Sequence, residues 1–226
     1  VTTFRSESSY DDFRHPSEIV FSDSLAEDLS RRDFTVNAIA ASSSGAIIDP
    51  LGGTEDIAAK TLRCAGNPLE RFSEDPLRIL RGVRFAMQLG FVIDGETSSA
   101  MNTLSPLLSH IAAERVKTEL EKAICAEHFS AKVFSEYKSV ISDSIGVDFS
   151  VLSPQLAEKC RGNEAAVCWA ALLLPLGSAA AEVCRRLKFS NELKRAVCFL
   201  TENCKDNHAA ERYVIRQLIG RFGEDN

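Results

Sequence analysis

The hydrophobic and polar positions change rhythm near residue 62. Up to there, short apolar runs alternate with turn residues. Val1-Thr2-Thr3-Phe4-Arg5 is a β-branched and aromatic run that predicts a strand. Thr35–Ala41 and Ala46–Ile48 are apolar runs separated by Ser42-Ser43-Ser44-Gly45, the pattern of a hairpin. Ser6–Pro16, rich in Ser, Asp and Glu, reads either as a mobile loop beside a site or as a plain surface loop. From Asn67 onward the apolar positions recur with helical spacing. Pro76, behind Glu74-Asp75, suits a first helical turn, where a missing N–H costs nothing and acidic residues favour the dipole. Gly90 suits the stop. A second helix is expected over about Ala112–Glu127, followed by helical segments with breaks near Gly146, Ser153-Pro154, Gly162, Gly177, Ser190 and Asn207. The longest apolar run, Trp169–Leu176, falls far short of the roughly 20 residues of a membrane span and reads as a buried helix.

Composition adds limits. A chain of 226 residues that is 45% apolar can bury one large core or two to three small ones. Its net charge of −6 argues against a generic polyanion-binding surface, so any nucleic-acid contact must come from local basic clusters. The 7 cysteines are odd in number, scattered, and never spaced as C-x-x-C, which points to a reduced, cytoplasmic compartment. The 4 histidines show no ligand spacing, which argues against structural zinc. No charged stretch followed by an apolar segment opens the chain, so secretion is not indicated. Because Val1 already lies in a strand-like run, the natural protein is expected to start upstream.

The most informative segment is Glu74-Asp75-Pro76-Leu77-Arg78-Ile79-Leu80-Arg81-Gly82-Val83-Arg84-Phe85. At about 100° per residue, Arg78, Arg81 and Arg84 share one sector of the helix, with Ile79, Leu80, Val83 and Ala86 on the other side. The apolar side can pack on a core while the arginines and Asp75 point into a cleft. A structural reading makes Asp75 and Arg78 a surface i, i+3 pair and leaves the other arginines solvated. The functional reading is sharper. A carboxylate accepts from an exocyclic amino group, and a guanidinium donates to ring-nitrogen and carbonyl acceptors. Cytosine and adenine both offer an amino donor beside a ring acceptor, so an Asp–Arg pair could imitate a template base for those two. Arg81 and Arg84 would then suit phosphate or ribose contacts.

A second cluster runs from Asp28 through Arg31-Arg32-Asp33-Phe34-Thr35-Val36-Asn37 to Ala38. Arg32 could bind a triphosphate and Asp33 could accept from a ribose hydroxyl; a salt-bridged turn is the structural alternative. Between the two clusters lies Asp49-Pro50-Leu51-Gly52-Gly53-Thr54-Glu55-Asp56-Ile57, whose glycine pair offers freedom that an interdomain hinge could use.

These blocks, "RRDFTVNA" from Arg31, "DPLGGTEDI" from Asp49 and "EDPLRILRGVRFA" from Glu74, together with "GFVIDGET" from Gly90 and "AAERVKTELEKAI" from Ala112, resemble class II tRNA nucleotidyltransferases and bacterial poly(A) polymerases. The resemblance covers roughly Val1–Ile124. It implies an α+β, predominantly α fold: the remnant of a polymerase-β-type nucleotidyltransferase head (1–62), a helical neck that selects the nucleotide (63–125), and a helical body (126–226). It further implies that Asp75 and Arg78 read the base, that Arg32, Arg81 and Arg84 contact the nucleotide, and that Asp33 and Asn37 lie near ribose and phosphates. Arg5–Leu25 would match the flexible loop used in switching from C to A addition.

The implied activity is template-independent addition of C and A to the 3′ end of tRNA from CTP and ATP, with release of pyrophosphate. The implied partners are the tRNA acceptor end and the two nucleotides; no membrane is involved, and a homodimer is compatible. The family's Gly-Gly-x-x-Arg-Asp turn and its magnesium-holding Asp-x-Asp pair do not precede Arg31 here, and Asp11-Asp12 matches no metal position. Two such carboxylates hold the ions that activate the attacking hydroxyl and stabilise pyrophosphate. This stretch is therefore expected to carry no catalytic or metal-ligating residue and to retain the selecting half of a Mg2+-dependent site. The alternatives are a poly(A) polymerase acting on RNA 3′ ends and a non-catalytic nucleotide- or RNA-binding module.

Overall fold

A computed structural model describes residues 5–7, 19–21 and 24–203. The chain divides into two compact units at Ala112/Ala113. Among the described residues the fold is predominantly α, with three two-stranded pieces of sheet.

In the first unit, β1 (Arg5–Glu7) pairs antiparallel with β2 (Ile19–Phe21). Ser6 and Glu7, expected in a loop, thus belong to a strand; Val1–Phe4 and residues 8–18 lie outside the described residues. Next comes α1 (Leu25–Ser30), capped by Ser24, whose hydroxyl accepts from Glu27 N. The expected hairpin forms, but only as β3 (Ala40–Ala41) against β4 (Ile47–Ile48). Its predicted beginning, Thr35–Asn37, is a 3₁₀ turn instead. The reason is nonlocal. The extended residues before the turn are used in another pairing, in which Phe34 bridges Cys64, Thr35 N donates to Arg63 O at 3.0 Å, and Ala65 N donates to Asp33 O at 3.1 Å.

The glycine pair does not serve as a free hinge. Gly52 adopts φ 74°, and α2 (Gly53–Ala59) starts directly after it. The Asp49 carboxylate caps that start, accepting from Gly53 N and Thr54 N at 2.8 Å each and from Thr54 Oγ1 at 2.6 Å. A Cβ on Gly53 would stand 2.2 Å from the Thr35 carbonyl oxygen, so close backbone approach explains the second glycine. Buried Asp56 reinforces the joint, accepting from Thr35 Oγ1 and from Arg63 Nε at 3.1 Å.

After β5 (Thr61–Leu62) come α3 (Pro68–Glu74), capped by Asn67, and α4 (Leu77–Leu89). The bounds of α4 agree with the Pro76 and Gly90 signals; Gly90 closes it at φ 67°. β6 (Val92–Ile93) then pairs parallel with β5. Asp94 caps α5 (Gly95–Leu104), and its carboxylate orients buried Thr97, which accepts from Cys64 N at 3.0 Å. Ile79, Leu80, Val83, Ala86 and Met87 of α4 are buried as the periodicity requires. The arginine side of α4 is partly buried too: nine of the helix's 13 residues are buried, including Arg78 and Arg84, while Arg81 stays partly exposed.

The second unit is helical: α6 (Ala113–Ile124), α7 (Ala131–Glu136), α8 (Lys138–Ile145), α9 (Pro154–Lys159), α10 (Ala165–Leu173), α11 (Ala180–Arg186) and α12 (Asn191–Asn203). Its breaks fall where glycine and proline predict, with Gly146 and Gly162 at positive φ and Pro154 opening α9; Asn207 lies outside the described residues. The apolar stretch is longer than Trp169–Leu176 suggests, because Ala165–Arg186 matches a membrane span in length and composition. Gly177, at φ 52° and ψ −125°, interrupts its helical geometry. Fully buried Trp169 makes α10 a core helix, donating Nε1 to Glu121 at 3.1 Å and stacking edge-on against Phe189 at 4.9 Å.

Candidate functional site

The site is built where the 28–37 segment meets α4. Asp28 lies buried at the end of α1 and accepts from Arg31 Nη2 at 2.5 Å and from Arg32 Nη2 at 2.9 Å. Burial works against its charge, but hydrogen bonds from Arg32 and Arg31 outweigh that and hold the carboxyl below the usual aspartate range. Arg32 is tethered yet 44% exposed, so its guanidinium still faces solvent.

From there the chain turns inward. Phe34 is fully buried and packs edge-on against Phe85, with ring centroids 5.8 Å apart. Gly82 makes room for it, since a Cβ there would stand 3.1 Å from Phe34 Cζ and 3.2 Å from Met101. This fit brings the arginine stripe of α4 under the 31–37 segment. Arg78 Nη2 donates to the Arg31 carbonyl at 3.2 Å. Its Nη1 lies 3.8 Å from Glu74 Oε2, buried and without a hydrogen-bond partner among the described residues. Asp75, half-buried, accepts from Leu77 N at 3.2 Å and so caps α4 with the carboxylate expected to read a base.

Arg81 reaches Asp33, donating Nε at 2.7 Å and Nη2 at 2.5 Å. Asn37, expected beside a ribose or phosphate, donates to the same carboxylate at 3.2 Å. Arg84 is buried, with its Cζ 4.1 Å from the Phe85 ring centroid; Arg81 Cζ is 5.5 Å from that centroid. Phe85 therefore backs two guanidinium groups at once, a favourable use of a ring's negative face. The sequence reading passed over Phe85, although its place four residues after Arg81 is a helical-neighbour signal.

The arrangement gathers Arg78, Arg81 and Arg84 on one helix beside Asp75, and brings the Arg31–Asn37 segment against them. Such a cluster can bind an anionic ligand carrying both donor and acceptor edges. Among the described residues, no group of three or more His, Cys, Asp or Glu side chains could hold a metal ion.

Known proteins show related chains. The Poly A polymerase head domain family matches residues 1–63, and the family described as the probable RNA and SrmB-binding site of polymerase A matches residues 90–133. A CCA-adding enzyme of Streptococcus suis (strain 05ZYH33) is 37% identical over 232 residues, covering 100% of this chain and 57% of the relative. One from Enterococcus faecalis is 53% identical over 124 residues, covering 55% of this chain and 30% of the relative. The crystal structure of the Bacillus stearothermophilus CCA-adding enzyme in complex with CTP superposes with a TM-score of 0.76 at 34% identity, over 88% of this chain and 50% of that one. The chain thus spans little more than half the length of the relative it matches from end to end.

Proposed function

Because the chain belongs to the family of CCA-adding tRNA nucleotidyltransferases and bacterial poly(A) polymerases, we propose that it forms the nucleotide-selecting part of an enzyme that adds C and A to tRNA 3′ ends. CTP and ATP are the substrates, and the tRNA acceptor end is the partner. Residues 1–62 are read as head, 63–125 as neck and 126–226 as body, working in the cytoplasm.

The observation that carries this reading is the buried Nη1 of Arg78, which lies 3.8 Å from Glu74 Oε2 and has no hydrogen-bond partner among the described residues. A buried donor left unsatisfied is costly, and a ring acceptor of cytosine or adenine supplies the missing partner. The Asp75 carboxylate, three residues earlier at the junction of α3 and α4, supplies the acceptor for the amino group. Uracil and guanine present the opposite pattern at these positions, so the same site would leave buried groups unpaired with them. Arg32, Arg81 and Arg84 provide the positive charge for phosphates, and their bidentate geometry suits phosphate oxygens.

A metal supplies activation of the attacking hydroxyl and stabilisation of pyrophosphate in this chemistry. Among the described residues no group of three or more His, Cys, Asp or Glu side chains comes together, and none of them is assigned to Mg2+. The residues named here bind and orient the nucleotide.

The test is incorporation of labelled CTP, ATP, UTP and GTP by the complete gene product that carries this chain, on tRNA lacking its 3′ CCA and on an unrelated RNA. Addition of C and A confined to tRNA supports the reading. Addition of A alone to either RNA makes the protein a poly(A) polymerase, and binding without incorporation makes it a binding module.

A further inference from the structure

The helical second unit holds a pair of thiols that the nucleotide site does not use. Cys125 directly follows α6, its N–H donating to Glu121 O at 3.0 Å, and its side chain is half-buried. Cys168 lies fully buried in α10. The two side chains are hydrogen-bonded to each other, so their sulfur atoms are neighbours where α6 packs on α10. Glu121, one turn before Cys125, fixes that packing: its Oε2 accepts from Trp169 Nε1 at 3.1 Å and pairs with Lys117 Nζ at 2.7 Å. Both cysteines are free thiols.

The pair is asymmetric. The hydrogen bond from Cys168 holds the Cys125 thiol below its ordinary range, against burial and the Glu121 carboxylate and with help from Lys117. Cys168 is pushed the other way, by its hydrogen bond to Cys125 and by burial. Its Sγ also lies 3.3 Å from the Cys160 carbonyl oxygen, an acceptor that favours the protonated thiol. Cys125 is therefore both the more accessible sulfur and the one that ionises first. A thiolate is the form that attacks an oxidant, and a thiol in contact with it diverts the oxidised sulfur to a disulfide before it reaches the irreversible acids.

We propose that Cys125 and Cys168 are a hydroperoxide-sensitive dithiol–disulfide couple, in which Cys125 takes the oxidant and Cys168 closes the bond that staples α6 to α10. The Cys125 thiolate attacks one peroxide oxygen, the O–O bond breaks, and the released hydroxide takes up a proton as water, leaving a sulfenic acid. The Cys168 sulfur then attacks the Cys125 sulfur; the S–O bond breaks, and the hydroxyl leaves with the Cys168 proton as a second water. Two thiols and one hydrogen peroxide give one disulfide and two waters, the sulfurs losing the two electrons that the peroxide gains. Where thiols are otherwise kept reduced, such a pair senses oxidant and is not a permanent staple. The proposal holds whether or not the chain transfers nucleotides.

The experiment exposes the folded, complete gene product to hydrogen peroxide and maps its cysteines by mass spectrometry of non-reducing digests. The expected product is a Cys125–Cys168 disulfide that dithiothreitol reverses, with Cys125 losing its thiol at least about tenfold faster than Cys64. The staple should raise the urea midpoint by about 1 M. Cys125→Ser should abolish both effects, and Cys160→Ser should leave them intact. In Cys168→Ala the Cys125 sulfenic acid should persist and be trapped by dimedone. Oxidation of wild-type Cys125 to sulfinic acid without the linkage would overturn the proposal, as would a linkage of Cys125 to Cys160 or a Cys125–Cys168 bond that forms only in urea. The wild type and Cys125→Ser decide the question even if Cys168→Ala fails to fold.

Discussion

Arg78 donates through Nη2 to the backbone carbonyl of Arg31, 47 positions earlier, at 3.2 Å. One edge of the guanidinium is thereby anchored on the protein, while buried Nη1 keeps hydrogen-bonding capacity unused by the described residues. An anchored donor of this kind can discriminate, because its direction is set before the ligand arrives.

Base selection should follow from this geometry. In the complete gene product, Asp75→Ala removes the acceptor for an amino group and Arg78→Ala the donor to ring acceptors. Each should lower the ratio of catalytic efficiencies for CTP over UTP by at least about tenfold. Arg84→Ala should weaken all four nucleotides more evenly. A CTP-to-UTP ratio that stays constant in Asp75→Ala, with folding intact by circular dichroism, would return this helix to a structural role.

Packing at the glycine pair gives a stability test. Gly53→Ala places a Cβ 2.2 Å from the Thr35 carbonyl and should destabilise the protein by about 2 kcal/mol through forced backbone movement. Gly95→Ala, at the first residue of α5 with open space around it, should stabilise by up to about 1 kcal/mol by restricting the unfolded chain. Urea midpoints of the two variants, moving in opposite directions from wild type, are the expected result.

Acid sensitivity should have a contribution from Asp28. Its carboxyl titrates below the ordinary 3.8 in the folded protein, so it stabilises the fold above that pH and loses the contribution as pH falls through its folded value. Asp28→Asn should cost about 1 kcal/mol at neutral pH, discounted because Arg32 is largely solvated. The stability difference from wild type should shrink between about pH 5 and pH 2. Denaturation curves at a series of pH values read this directly; a difference that stays constant would assign the Asp28 contacts no titrating role.

Thiol reactivity should be selective. Burial pushes the Cys64 thiol up to about 12, despite Arg78 and Arg71 nearby. Half-buried Cys125 is shifted the other way by a hydrogen bond from Cys168. Since the thiolate is the nucleophile, iodoacetamide at neutral pH should label Cys125 well before Cys64, as peptide mass spectrometry of a time course would show. Equal labelling of the two in folded protein would contradict the burial of Cys64.

Much of this protein is legible along the chain because its causes are local. Pro76 and Gly90 mark the ends of α4, since a proline cannot donate within the helix and a glycine readily takes the left-handed closing conformation. Gly146, Pro154, Gly162 and Gly177 punctuate the second unit for the same reasons. The three-residue recurrence of Arg78, Arg81 and Arg84, with the apolar set opposite, picks out the helix on which the arginines gather. What each arginine holds was decided by the tertiary structure. Pairing of residues 33–35 with 63–65 turned the predicted strand start at Thr35–Asn37 into a 3₁₀ turn, and Phe34 against Gly82 drew Asp33 onto Arg81. The same pairing drove the Thr35 carbonyl against Gly53, converting an expected hinge into a packed, Asp49-capped joint. Periodicity and capping act over a few residues and can be read in order. A charged side chain, in contrast, takes whichever partner the folded backbone brings within 3 Å or so, because leaving it buried and unpaired costs more than any local preference decides.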